Sequence, residues 1–513
     1  MVYHQKRFDY KSTTAILFYI ALSKLLLLVI WGSNYGFFRD EFYYIECSKH
    51  HAFGYVDQPP LSILLLAVSR TLFGESILGI RLFSYLEGST TVFLAGLIAR
   101  ELNGKRYAQI LASLSALFCG VILGGSNYFS MNSFDILFSA VVFYFIIRLI
   151  KSNDRHIWLP IGIVFGFGLE NKLSFLFLGF ALAAGMLITK ERKYYRCKEV
   201  YISALIAFLL FLPNIVWQIV NHYPTLEFMR NAATRKNVPM TPLQFFIGSL
   251  MELNPSYIIL IVSAFYFLFF NRNGKKFALI GWIYIIVFTV FVLYHGKPYY
   301  MGIVYPALIA AGAVGAEVLI ERYLGGWARY ALILLLISAY ISVLPFAVPV
   351  LPVDSFIEFS KFLGIKPVNA EKSKLGLLPQ FYSDRFGWEE MVEKVAYVYN
   401  MLSEEEKKKA IIIAQNYGEA GAIGLFGKKY GLPEVFSPHN NYWFWGPPEN
   451  WDGSIAIVVG SNKQGNSVYF ESVEKAASHF NKYGMPFENV DIFVCKKIKK
   501  PVEEIWPAIK KFI

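Results

Sequence analysis

TTAILFYIALSKLLLLVIW, residues 13–31, is followed within a few positions by FFRDEFYYIECSKHHAFGYVDQPPLS, residues 37–62. The first stretch has the length and apolar character of a membrane-crossing helix, because only a helix satisfies its own backbone polar groups inside hydrocarbon. Lys6, Arg7 and Lys11 precede it. It lacks a small-residue cleavage site and outruns a signal-peptide core, so it reads as a retained first span. The second stretch is too polar and too aromatic to be a mere connector.

Similar apolar runs recur near residues 77–99, 107–126, 134–150, 157–169, 173–188, 201–220, 256–270, 277–294, 299–320 and 330–350. The expectation is a polytopic α-helical membrane protein with about eleven to thirteen spans. Composition agrees: of 513 residues 55% are hydrophobic and only 17% charged, and mean hydropathy is +0.42, where a soluble domain carries about a quarter charged residues. The net charge of +12 would suit nucleic acid in a soluble protein. Here the basic residues sit between apolar runs, and no nucleic-acid partner is expected.

Basic residues collect in alternate loops: Arg100, Lys105 and Arg106; Arg148, Lys151 and Arg155; Lys190, Arg192, Lys193, Arg196 and Lys198; Arg272, Lys275 and Lys276; Arg322 and Arg329. The positive-inside bias assigns those loops and the N-terminus to the cytoplasm, and the segment around Asp40 and everything after residue 350 to the outside of a plasma (inner) membrane. Residues 59–72 are apolar but too short to span, which suggests an interfacial or re-entrant helix. From about Asp354 the hydropathy falls. Apolar runs at 410–414, 455–459 and 490–494, with a helical pattern near 419–430, predict a soluble α/β domain. The expected division is thus a membrane domain over residues 1–353 and an extracytoplasmic α/β domain over residues 354–513. Cys47, Cys119, Cys197 and Cys495 show no CxxC spacing, so neither a disulfide framework nor a zinc site follows.

Asp40 and Glu41 are adjacent carboxylates just beyond a helix end on the outer side. A carboxylate there can take a proton from an attacking hydroxyl; the plainer reading is an acidic pair helping to end a helix. Arg81, Asp135, Glu170, Lys172 and Lys297 fall at the outer ends of other spans, where charge is costly and usually faces a cavity or a partner. Together they fit a reaction whose leaving group is an anionic phosphate at a membrane surface, with Arg81, Lys172 and Lys297 stabilising it. Each has a structural alternative: Arg81 can snorkel, Glu170 and Lys172 can pair, and Asp135 can cap a helix. Tyr299 and Tyr300 form an outer aromatic belt. Asp57, before Pro59 and Pro60, reads first as turn punctuation. With Tyr43, Tyr44, Glu170, Tyr299 and Tyr300 it completes the substrate-binding candidates. The loop His439, Asn440, Tyr442 and Trp443 is a candidate for orienting the acceptor. The expectation binding these assignments together is that acids and bases far apart in sequence meet in one outer-leaflet cleft.

RDEFYY at 39–44, GYVDQPPL at 54–61, GIRLFS at 79–84, GLENKLS at 168–174, and GKPYY with YPAL at 296–308 resemble motifs of the GT-C membrane glycosyltransferases, near the protein O-mannosyltransferase and aminoarabinose transferase branch. NYGEAGAIGLFGKKYGLP at 416–433 and SPHNNYWFWGP at 437–447 resemble the soluble tail of one subgroup. The resemblance implies a polyprenyl-phosphate-linked sugar donor, an acceptor lipid, glycan or protein, and transfer outside the cytoplasm. It also implies Asp40 as catalytic base with Glu41 beside it, Asp135 as a second acidic position and Lys172 as a phosphate-facing cation. Gln58 stands where relatives often carry histidine. No DxD pattern surrounds Asp135, so no obligatory metal is expected, with a divalent ion as the alternative. The rival function is a lipid or solute transporter; against it, neither an internal repeat nor buried polar residues on the cytoplasmic half are evident.

Overall fold

The computed structural model describes residues 11–367, 372, 374–447 and 451–513; Lys6 and Arg7 lie outside the described residues. By contact density the chain forms two units, one of Met1–Ser33, Leu78–Ile215 and Pro239–Val350, the other of Asn34–Ile77, Val216–Val238 and Leu351–Ile513. The chain passes into the second unit for good at Leu351. That unit also takes in two earlier segments, which a division made along the sequence cannot see.

In the first unit and at its edges, seven helices among the described residues are long and apolar enough to cross a membrane: Thr13–Trp31, Ile77–Glu101, Met131–Ser152, Lys198–Val220, Lys275–Leu293, Pro298–Tyr323 and Trp327–Ala347. Two bent pairs, Ser174–Ile188 with Lys190–Arg196 and Pro242–Leu253 with Pro255–Phe270, bring the number to nine if each is one span. The chain is a multi-pass membrane protein. The remaining two runs expected to span are shorter helices. Residues 107–126 break at Cys119, where an extended backbone separates Arg106–Phe118 from Gly120–Gly125. Trp158–Asn171 has 14 residues, about 21 Å of helix against a hydrocarbon core of about 30 Å.

Pro298–Tyr323 is 89% buried over its apolar window, and small residues make that possible. A methyl group on Gly312 or Gly315 would collide with the Leu260 or Ser263 carbonyl of the helix Ile258–Phe265. At the far end of this span the buried Glu317 accepts the backbone N–H groups of Lys105 and Ala108 at 2.8 and 3.0 Å, filling donors left open at the start of Arg106–Phe118. Lys24, fully buried within the first span, donates to the Ile122 carbonyl and the Ser126 hydroxyl at 2.8 and 3.1 Å. A charge in hydrocarbon needs such partners.

Among the described residues the second unit is built on five strands: β1 Ile411–Ala414, β2 Val435–Phe436, β3 Ile455–Val459, β4 Phe470–Ser478 and β5 Asp491–Ile498, in the order β2-β1-β3-β5-β4. β1 runs parallel to β2 and β3, while β5 pairs antiparallel with β3 and β4. β3 is buried throughout, as a central strand covered on both faces must be. The helix Tyr417–Phe426 follows β1, and the helix Arg39–Cys47 packs on it. The short apolar run expected at 59–72 is the helix Leu61–Phe73, which leaves Leu64, Val68 and Leu72 exposed in an i, i+4, i+8 stripe, the pattern of an interfacial helix. All four cysteines are buried and free.

Candidate functional site

The candidate residues fall into two groups, one in each unit. In the second unit, Asp40 opens the helix Arg39–Cys47 and keeps 31% of its side chain exposed. Its Oδ1 accepts a hydrogen bond from the Tyr417 hydroxyl at 2.8 Å and lies 3.7 Å from the Arg39 guanidinium. Arg39 Nη2 donates to the Tyr417 oxygen at 2.9 Å, and Nη1 lies 3.9 Å from both Asp384 and Glu488. Glu41 is buried, and its Oε2 accepts the Phe38 N–H at 2.8 Å. It therefore caps the start of its own helix, where the plainer reading had the acidic pair helping to end one, while Asp40 stays partly exposed.

Gly418 and Gly421 set the distance between the two helices. A Cβ on Gly421 would stand 2.7 Å from the Phe42 carbonyl carbon, and one on Gly418 would stand 2.5 Å from Arg39 Cγ. Asn416 caps the partner helix through the Gly418 and Glu419 N–H groups at 2.8 and 3.0 Å, which fixes Tyr417 as its first residue. Behind it, the buried Glu419 and Glu488 are both linked to Asn416 Nδ2. Burial pushes the Glu488 carboxyl up to about 7, with Arg39 opposing the rise, and burial followed by the charge of Glu488 raises Glu419 as well.

Tyr43 is buried and lies 3.0 Å from Asp57 Oδ1 and 3.1 Å from Asn441 Oδ1. One hydroxyl has one proton to give, and Asn441 Oδ1 also takes the Val56 N–H at 2.7 Å. The Asp57 carboxyl is pushed up to about 7, chiefly by burial, with the Tyr43 hydrogen bond opposing. Tyr44 is buried beside Tyr43, ring centroids 5.8 Å apart. The His439 loop knits structure: Nδ1 accepts the Tyr417 N–H at 3.4 Å, and Nε2 lies 2.8 Å from the Ile513 carbonyl. Burial holds this imidazole neutral, its pKa well below the usual value. Trp443 exchanges indole-to-carbonyl hydrogen bonds with Trp506.

In the first unit, Asp135 is 2% exposed and accepts a 2.6 Å hydrogen bond from Ser174. Lys172 lies 3.8 Å from Asp135, donates to Asn132 Oδ1 at 2.6 Å and sits 4.6 Å from the centroid of the Tyr300 ring. Tyr299 meets Tyr300 edge-on at 4.8 Å. Four expected residues, Asp135, Lys172, Tyr299 and Tyr300, are therefore brought together, and Asn132 and Ser174 join them. Arg81 is fully buried and donates to the Gly32 carbonyl at 2.6 Å. Glu170 is half-buried at the end of Trp158–Asn171, and Lys297 is half-buried at the start of the Pro298–Val304 turn. One turn beyond Lys172 an apolar cavity of about 560 Å³ opens, with Phe165, Phe175, Phe180, Ala207 and Phe211 in its wall.

Sequence reasoning missed Tyr417, Asn441 and the roles of Arg39 and Glu488. Tyr417 and Asn441 lie in the two tail stretches already noted, but only contact across the fold assigns them a task. Among the described residues no group of three or more His, Cys, Asp or Glu side chains is arranged to hold a metal ion.

Residues 57–217 match the family dolichyl-phosphate-mannose-protein mannosyltransferase. The chain is 30% identical over 142 residues to the polyprenol-phosphate-mannose–protein mannosyltransferase of Corynebacterium glutamicum, covering 26% of this chain and 27% of that protein. It is 24% identical over 293 residues to an undecaprenyl phosphate-alpha-4-amino-4-deoxy-L-arabinose arabinosyl transferase of Pseudomonas fluorescens, covering 54% of this chain and 52% of that one. The matches thus span between about a quarter and about half of these relatives. In structure it is similar to ArnT of Cupriavidus metallidurans in the apo state, with a TM-score of 0.63 at 12% identity, covering 93% of this chain and 97% of that chain. The same protein bound to undecaprenyl phosphate gives 0.60. That likeness establishes the fold.

Proposed function

We propose that this chain transfers a sugar from a polyprenyl-phosphate donor to an acceptor lipid, glycan or protein on the non-cytoplasmic face of a plasma (inner) membrane, with inversion at the anomeric carbon. The observation that carries the reading is Asp40: a carboxylate fixed at the head of a rigid helix through one oxygen, with about a third of its side chain open. That geometry suits a general base, which must be held still and remain reachable. Asp40 removes the proton of the acceptor nucleophile as the nucleophile attacks. The carbon–oxygen bond to phosphate breaks, and the lipid phosphate leaves with the bonding electrons.

Lys172 is the phosphate-facing cation, held ready by Asn132, Asp135 and the Tyr300 ring, and Arg81 and Lys297 are further candidates for the same charge. The apolar cavity beginning at Phe175 suits a polyprenyl chain. Relatives named for polyprenyl-phosphate sugar transfer support the donor class. No relative named in these matches is a transporter, and the transporter alternative gains nothing from them. The N-terminus lies in the cytoplasm and the α/β unit outside it under this proposal.

The test is incubation of purified protein with a panel of polyprenyl-phosphate sugars, scoring released lipid phosphate. Release that depends on donor and disappears in Asp40→Asn supports the reading. Undiminished release in that variant sinks it.

A further inference from the structure

We infer that Tyr417 is a positioning residue for Asp40: the hydroxyl supplied by the soluble tail fixes the carboxylate through Oδ1 and leaves Oδ2 turned to the nucleophile. The inference rests on the general-base reading above and assigns the tail a share in catalysis.

The Tyr417 hydroxyl has one proton, and its geometry commits that proton to Asp40 Oδ1 at 2.8 Å, because Arg39 Nη2 donates to the same oxygen at 2.9 Å. A phenol that accepts from a guanidinium is polarised toward stronger donation. Asp40 Oδ2 has no hydrogen bond from the described residues. One oxygen is thus held and the other is available to take a proton. The tyrosine itself has little freedom. It is 7% exposed, with its ring centroid 5.0 Å from that of Tyr43 and 4.7 Å from that of His439. Its N–H is bonded to His439 and its helix is capped by Asn416. Gly418 and Gly421 let that helix approach the Arg39–Cys47 backbone closely enough for the hydroxyl to reach. A tyrosine needed only for packing would not require its oxygen to bridge the arginine and the carboxylate on neighbouring positions of another helix.

The experiment compares wild type with Tyr417→Phe in the donor-dependent transfer assay. Phenylalanine keeps the ring contacts, so the folded state is retained and is checked by thermal unfolding in detergent. Losing one hydrogen bond to a charged group lowers kcat about tenfold or more. KM for donor is expected to stay unchanged, and the acidic limb of the pH–rate profile to move to higher pH, because a carboxylate deprived of a donor holds its proton more tightly. Incorporating 3-fluorotyrosine at position 417, a stronger donor, moves that limb the opposite way. Wild-type kcat and an unmoved acidic limb in both variants overturn the inference. If Asp40→Asn is inactive while Tyr417→Phe behaves as wild type, only the positioning role fails; if Asp40→Asn is active, the base assignment fails first.

Discussion

Asp40 and Asp135 are both acids within 4 Å of a cation, yet their surroundings differ. Asp135 has 3% of its side chain exposed, with one oxygen on Ser174 and Lys172 3.8 Å away; Asp40 has 31% exposed and is held from one side by Tyr417 and Arg39. The first arrangement keeps a charge buried. The second keeps one in place and open. A carboxylate in a membrane protein is therefore better judged by which of its oxygens are occupied than by its depth.

The sharpest way to break this contrast is Asp40→Asn, which removes a base without removing a shape: transfer falls by about a thousandfold or more, while the thermal unfolding midpoint stays put. Lys172→Met is expected to do the reverse in kind. Leaving Asp135 without its cation costs about 3 kcal/mol of stability, read as a lowered unfolding midpoint, along with weaker binding of polyprenyl phosphate. Gly421→Ala forces a methyl group against the Phe42 backbone and destabilises the second unit by about 2 kcal/mol, measured by limited proteolysis of that unit.

Asp57 adds a pH dependence. Its folded-state pKa of about 7 lies above the unfolded value of about 3.9, so the folded state binds the extra proton. Stability is fully present below about pH 4, declines as pH rises toward 7 and is level above that. Asp57→Asn removes that slope. Part of the residue remains open to solvent, so after screening the change is about 1–2 kcal/mol, visible in melts between pH 4 and 8. The smallest effect belongs to the surface pair Lys475–Asp491, 2.7 Å apart and half-exposed: Lys475→Ala moves stability by about 0.5 kcal/mol or less.

Much of this was legible in the sequence where physics acts locally. Apolar length marked the spans, because lipid tolerates nothing else, and the runs forming β1, β3 and β5 stood out because buried strands are continuously apolar. β4, FESVEKAAS, escaped notice because it pairs only with β5 at the sheet edge and is largely polar and exposed. The interruption at Cys119 escaped too, since 107–126 reads as uniformly apolar. In the sites, Asp40, Asp135 and Lys172 were visible as charges in surroundings where charge is expensive. Tyr417 was not: it lies 377 residues from Asp40, and a tyrosine has no local signature of the bond it will make.

The burial of all four thiols has a practical use. Cys47, Cys119, Cys197 and Cys495 are shielded, so a membrane-impermeant maleimide applied to intact cells will find little to modify in the native chain. A single cysteine introduced at an exposed position, Gln464→Cys in the second unit or Asn273→Cys in the first, then becomes the only bright reporter without a cysteine-free background having to be built. Labelling at 464 but not at 273 until the cells are permeabilised would fix the orientation of the whole chain from two gel lanes.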